Sequence, residues 1–357
     1  MSDAYARAGV DTGEARGGVG ALVAALARID TGRPSRSLVP SGHYASVLAL
    51  DELTAVAICT DGVGTKLIIA EAMNRFDTVG IDCIAMNVND LVCVGAEPIA
   101  LVDYVAVEQA DETMLAALGE GLREGASQAG VEIPGGELAQ VPEMLRGHPS
   151  PRGVDLVGTA IGVVPRDGIL TGERIAPGDV VVGVPSSGLH SNGYSLARRA
   201  LREQGGYGLE DVPPELGRPL ADELLEPTVI YVRAALELLR SEVQVHGLAH
   251  ITGDGLLNLL RLNPGVGFHI DAPLEPQPVF GLIQRCGDVP DAEMWEVFNM
   301  GTGLCVVVDG GDVPVVVELL GKRHPGVRVI GEVTGSVGTV RMPGVGLVGD
   351  KSGFRRG

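Results

Sequence analysis

The sequence predicts an α/β (α+β) fold of two α/β domains, and three observations carry that prediction. Apolar runs of strand length alternate with segments of helical period. The 357 residues are about two domains of ordinary size. A turn-rich stretch, PRDGILTGERIAPGD, interrupts the pattern near 165–178, after which it restarts. The expected division is 1–168, 169–345 and a tail, 346–357.

In chain order, TAVAICT (54–60) reads as a buried strand and 78–94 as a helix. PIALVDYVAV (98–107) is the next strand. Residues 111–130 form a well-punctuated helix, acidic at the start and stopped by glycine. VEIPGGE reads as a short strand into a turn, and VDLVGTAIGVV as a longer strand. In the second half, 179–185 reads as a strand, 192–204 as a helix and HGLAHI as a strand entering a glycine turn. FNMGTGL reads as a helix-to-strand turn.

Composition excludes several classes of function. The formal charge of −19 and 3% aromatic content argue against nucleic acid or an anionic membrane as the main partner. No uncharged apolar run is long enough to span a bilayer, and the N-terminus lacks a signal-peptide core. The five cysteines form no C-x-x-C pair and sit in apolar runs, which predicts reduced thiols in a cytoplasmic protein. Lysine occurs only at 66, 322 and 351, so Lys66 in a glycine-rich turn stands out.

That turn, Asp61-Gly62-Val63-Gly64-Thr65-Lys66, follows a strand and precedes a helical segment. It is not a Walker motif, because Thr65 precedes Lys66. Its glycines let backbone N–H groups approach a ligand. Asp61 suits a metal ion and Lys66 a phosphate; the competing reading is a tight turn with a capping aspartate and a solvated lysine. On the following helix, Ile81, Ile84, Ala85, Val88, Leu91 and Val92 share one face. Asp82, Met86, Asn89, Asp90 and Cys93 fall on the other. An Asp/Asn row facing Asp61 makes an oxygen-ligand site, Asp61, Asp82 and Asp90, for Mg²⁺ with nucleotide phosphates. Gly135, Gly136 and Glu137 add a further oxygen ligand or base, or only an exposed turn.

PSSGLHSNGYSL packs Ser187, Gly188, His190, Ser191, Asn192 and Gly193 between a strand and a helix, a donor-rich corner for an anion. His190 is a candidate acid/base or a neutral phosphate donor. Thr252-Gly253 and Asn299/Gly301 mark two more backbone-rich corners. His246 and His250 lie on one strand face, too far apart for zinc.

Together, AYARAGVD, TDGVGTKL, VGIDCIAMNVNDLVCVGAEP, GGE, SSGLHSNGYSL, AHITG and FNMGTG resemble the phosphoribosylformylglycinamidine cyclo-ligases over about residues 4–335. The resemblance implies ATP-dependent closure of formylglycinamidine ribonucleotide to aminoimidazole ribonucleotide, with ATP and Mg²⁺ as cofactors and His190, Asp61 and Lys66 as catalytic residues. It implies nucleotide contacts at Asp61, Gly62, Gly64, Thr65, Lys66, Asn89, Asp90 and Gly135–Glu137. It also implies substrate contacts at Ser187, Gly188, His190, Ser191, Asn192, Gly193, Thr252, Gly253, Asn299 and Gly301, and a homodimer whose N-terminal domains pair through a β-barrel.

Three departures stand against the pattern. The upstream loop has no lysine, leaving Arg33, Arg36 and His43 as substitutes. Leu138 follows GGE where threonine is usual, and Asp254 interrupts the usual TGGG. The alternatives are a divergent paralogue with another ATP-dependent phosphoryl transfer, or an inactive nucleotide-binding dimer. Selenophosphate synthetase needs a reactive cysteine before Cys59, and the hydrogenase maturation relative needs one at the C-terminus. Thiamine-phosphate kinase lacks the HSNGYSL block in this form.

Overall fold

The computed structural model describes residues 4–9 and 12–357. The last two residues of the AYARAGVD block lie outside them. The first half contains helices α1 (Ala4–Arg7), α2 (Thr12–Leu26), α3 (Leu67–Met73), α4 (Val79–Cys93) and α5 (Glu112–Ala129). Its strands are β1 (Ser46–Ala49), β2 (Thr54–Gly62), β3 (Glu97–Val107), β4 (Glu132–Gln140) and β5 (Val154–Pro165). They form one sheet in the order β1-β2-β5-β3-β4, antiparallel except for the β3–β4 pair.

The second half contains helices α6 (Tyr194–Arg198), α7 (Leu220–Leu224), α8 (Val232–Leu239), α9 (Pro278–Gly287), α10 (Asp291–Val297) and α11 (Val313–Gly321). Strands β6 (Val180–Pro185), β7 (Val245–His250), β8 (Gly267–His269), β9 (Thr302–Val308), β10 (Arg328–Thr334), β11 (Val340–Met342), β12 (Leu347–Asp350) and β13 (Gly353–Arg356) make the second sheet. Its order is β13-β12-β11-β8-β10-β6-β9-β7. No described helix is long and apolar enough to cross a membrane.

Most expected elements are present within a few residues. The 111–130 helix is bounded as its punctuation predicts: Asp111 accepts from the Met114 N–H at 2.8 Å, and Gly130 closes the helix at φ 75°.

Two expectations are corrected. PGGE is no turn; it runs through β4, with Gly135 opposite Val102 and Gly136 opposite Asp103. A Cβ on Gly136 would stand 2.4 Å from Asp103 Oδ1, so glycine there serves close strand pairing. Residues 346–357 are no tail: β12 and β13 form a hairpin that extends the second sheet, with Leu347 and Phe354 buried.

Helices α4 and α5 cross on glycine. A Cβ on Gly80 would stand 2.2 Å from Leu122 N, and one on Gly121 2.5 Å from Asp77 O. Gly80→Ala therefore collides with backbone that cannot rotate away. It should cost at least about 2 kcal/mol of stability, and an unchanged urea midpoint would contradict this account of the crossing.

Candidate active site

Helix α4 is buried on both sides. Ile84, Val88, Leu91 and Val92 are fully enclosed, and so are the polar Asp82, Asn87 and Asn89. A buried polar group left without a partner costs about 1–3 kcal/mol; Asn87 donates to the Asp61 and Cys83 carbonyls of the first half, and the second half of the chain supplies partners for Asp82 and Asn89. Asp82 Oδ1 accepts from the Thr228 N–H at 2.8 Å and its hydroxyl at 2.6 Å. Asn89 accepts from the Tyr231 N–H and donates to the Val229 carbonyl, both at 2.9 Å. The Asn89 amide, expected at the nucleotide, instead holds the 229–231 segment.

Lys66 is 0% exposed. Its Nζ lies 2.7 Å from Asp82 Oδ2 and donates to the carbonyls of Glu226 at 2.7 Å and His190 at 3.3 Å. Those acceptors match the three donors of an ammonium. Burial pulls Lys66 down and Asp82 up, and each opposes the other's shift through its charge. This differs from the expected roles of both residues: here Lys66 is enclosed by Asp82 and two carbonyls, and Asp82 is held by Lys66 and Thr228.

Asp61 and Asp90 are near enough to act on each other through charge. Asp61 is near the end of β2, and Asp90 is on the last turn of α4. Burial, then the Asp90 charge, hold the Asp61 carboxyl above its usual range, against the Gly62 N–H, His250 and Arg261. Cys59, two residues earlier on β2, has Sγ 3.9 Å from Asp90 Oδ2. Burial and both carboxylates push that thiol far up, so it stays protonated.

His250, the last residue of β7, completes the group. Its Nδ1 is 2.8 Å from Asp90 Oδ1, and its Nε2 is 3.4 Å from Asn89 Nδ2. Asn89 Nδ2 also donates to a carbonyl, which assigns Nε2 as acceptor and puts the proton on Nδ1, donating to Asp90. From sequence, His250 stands out only beside His246 as a zinc pair, which their spacing on a strand disfavours. His246 instead pairs with Asp179 at 2.7 Å. The one sequence signal for His250 is its place at the end of a strand that runs into a glycine turn.

The Ser187–Gly193 corner meets the Gly62–Lys66 turn directly. Ser191 Oγ donates to the Val63 carbonyl at 2.9 Å, and Thr65 Oγ1 is 3.3 Å from Ser195 Oγ. Gly64, at φ 71° with open space around its Cα, and exposed Thr65 border the cleft. Asn192 lies beside Gly253, its Oδ1 3.7 Å from where a Cβ on Gly253 would stand.

Other residues of the corner brace it from behind. Ser187 Oγ donates to the Pro227 carbonyl at 2.6 Å. Asn299, 2% exposed, donates to the Gly188 carbonyl at 2.8 Å and accepts from Ser186 Oγ and the Gly301 N–H, each at 2.9 Å. Gly301 is pressed against Glu275, and Gly193 against the Phe298 ring.

His190 is 1% exposed at φ 59°, and its Nε2 accepts from the Ser187 N–H at 3.1 Å. Burial, the largest cause, holds its pKa well below the usual value. The ring is neutral and enclosed, a poor match to the expected acid/base.

Thr252 is held by its own N–H on Asn258 Oδ1 at 2.8 Å. Gly135, Gly136 and Glu137 are not part of this cleft. One row across the first sheet reads Asp61–Gly158–Asp103–Gly136, and its three strand spacings separate the ends by about 14 Å.

Lys66→Ala should leave Asp82 charged and buried, costing about 3–5 kcal/mol. Thermal melting checks this, and a variant that melts with the wild type would show the pair to be dispensable.

A family model for the N-terminal domain of AIR synthase related proteins matches residues 42–164, and one for their C-terminal domain matches 176–342. A phosphoribosylformylglycinamidine cyclo-ligase of Methanothermobacter thermautotrophicus is 47% identical over 331 residues, 92% of this chain and 94% of that protein. One of Thermococcus kodakarensis is 47% identical over 346 residues, 96% of this chain and 98% of that protein. Among solved structures, T. maritima PurL complexed with ATP aligns with a TM-score of 0.56 at 19% identity, covering 86% of this chain and 45% of that one, a likeness of fold. With both halves matched and such relatives spanning nearly its whole length, this chain belongs to the phosphoribosylformylglycinamidine cyclo-ligase family.

Proposed function

We propose that the chain converts formylglycinamidine ribonucleotide to aminoimidazole ribonucleotide, consuming ATP and releasing ADP and phosphate. The observation that carries this is the 47% identity to cyclo-ligases over 96% of the chain. ATP transfers its terminal phosphoryl group to the formyl oxygen. A substrate nitrogen then attacks that carbon, the C–O bond breaks as phosphate leaves, and the attacking nitrogen loses its proton as the ring closes.

Asp61 and Asp90 are the residues that would hold Mg²⁺. Two neighbouring carboxylates, one pushed up by the other's charge, form a set that a divalent cation relieves. Among the described residues no three acidic, histidine or cysteine side chains converge as a cage. Mg²⁺ ordinarily takes one or two carboxylates and completes its shell with phosphate and water. When bound, the ion offsets charge on the transferring phosphoryl group.

His250 orients Asp90 through its Nδ1–H, and the Gly64–Thr65 turn, Asn192 and Gly253 border the bound ligands. His190, neutral and enclosed, positions the Ser187 backbone rather than moving a proton. Residues 1–168 then serve metal, nucleotide and dimerisation, while the rest supplies the donor-rich corner. A reaction fed by ATP fits a cytoplasmic protein.

The homodimer has its own support. The face of the first sheet turned away from α4 carries Leu48, Ile99, Val102, Tyr104 and Ile161, each 38–45% exposed. Such an apolar face suits a second copy of the same sheet.

Asp90→Asn should lower turnover by about a hundredfold and weaken Mg²⁺-dependent ATP binding. Wild-type turnover at limiting Mg²⁺ would sink the carboxylate assignment. In light scattering at micromolar concentration, the wild type should show twice the chain mass of 36.9 kDa. Ile161→Glu should show one chain mass; a monomeric wild type would refute the dimer.

A further inference from the structure

ATP and a ribonucleotide bring phosphate charge to a chain of formal charge −19, and the Lys66 ammonium is enclosed by Asp82 and two carbonyls. Arg261 is placed differently. It ends the helical turn Gly255–Arg261, just after the Thr252–Gly253 corner. Its side chain is 38% exposed and lies over the Tyr44 ring at 5.4 Å. A guanidinium over a ring face can still fork its N–H edges onto an oxyanion. Its charge reaches both Asp61 and His43.

Arg261 also lines a cavity of about 380 Å³ with His43, Asp254, Leu257 and Lys351. That volume lies within the range of small-ligand sites. His43 Nδ1 accepts from the Tyr44 N–H at 2.9 Å, so the neutral ring carries its hydrogen on Nε2, a buried donor without an acceptor among the described residues. Lys351 reaches the cavity from the tip of the β12–β13 hairpin. Asp254, at φ 72°, holds its carboxylate 3.7 Å from Arg261, a loose and half-exposed pair. A phosphate forming short charge-assisted hydrogen bonds outcompetes such a pair.

We propose that this cavity is a phosphate-holding subsite, with Arg261 as its main anion-binding residue and His43 and Lys351 as additional donors. Leu257 and its apolar neighbours provide a wall for the sugar or base. The identity of the ligand rests on the proposed reaction: the phosphate belongs either to ATP or to the ribonucleotide substrate.

Calorimetric titration of ATP and of ribose 5-phosphate, each with Mg²⁺ and without turnover, tests the subsite. Arg261→Gln should weaken one of the two ligands by about 10–100-fold and leave the other near wild type; the ligand that responds owns the phosphate. Arg261→Lys should restore only part of the loss, because a point charge lacks the fork.

An Arg261→Gln variant with the wild-type melting curve and unchanged affinity for both ligands overturns the proposal. If that variant does not fold, Lys351→Gln at the exposed hairpin tip decides, and unchanged affinity for both ligands again overturns it. A wild type that binds but does not cyclise refutes the proposed reaction and leaves the subsite standing.

Discussion

The ion pair of Lys66 with Asp82 joins the end of the glycine turn to the first turns of α4, and the two carbonyls that complete the Lys66 shell come from the second half of the chain. Neither charge is exposed. Burying two charges is costly unless each is paired and fully hydrogen-bonded. Here Thr228 satisfies the remaining oxygen of Asp82. The pair therefore ties the 226–228 segment to a fixed point on the first half. The cleft inherits its geometry from that fixed point.

The same helix then divides its polar residues by angle. Asp82 and Asn89 are seven positions apart, nearly two turns, so they fall on one stripe. That stripe docks onto 228–231. Asp90 is about 100° further round, which brings it off the docked stripe and toward Asp61. Structural and chemical carboxylates thus share one helix and differ in phase. His250 links the two roles, touching Asn89 with one ring nitrogen and Asp90 with the other.

Charge distribution follows from this arrangement. The lysine in the most phosphate-like local motif is committed to holding the halves together. The cation within reach of the Asp61–Asp90 end is Arg261, from a helical turn near the end of the family's glycine-rich corner. The C-terminal hairpin adds Lys351 to the same wall.

Much was legible in the sequence because it is local. The strand leading to Asp61, the helix 79–93 and its two-sided character, and the caps at Asp111 and Gly130 depend on periodicity and on residues a few positions apart. The motif blocks also identified the family. What the halves do to each other was not legible. Lys66 and Asp82 were both read as ligand residues because their carbonyl and threonine partners lie up to 160 positions away. His250 gained its meaning only from Asp90, also 160 positions distant. The PGGE segment became a strand, and the last residues a hairpin, because a neighbouring strand was there to receive their backbone hydrogen bonds. Local chemistry selects which groups are available. Only the packing of one half on the other decides which of them are buried as partners and which remain at the cleft, since burial is a property of the assembled surface.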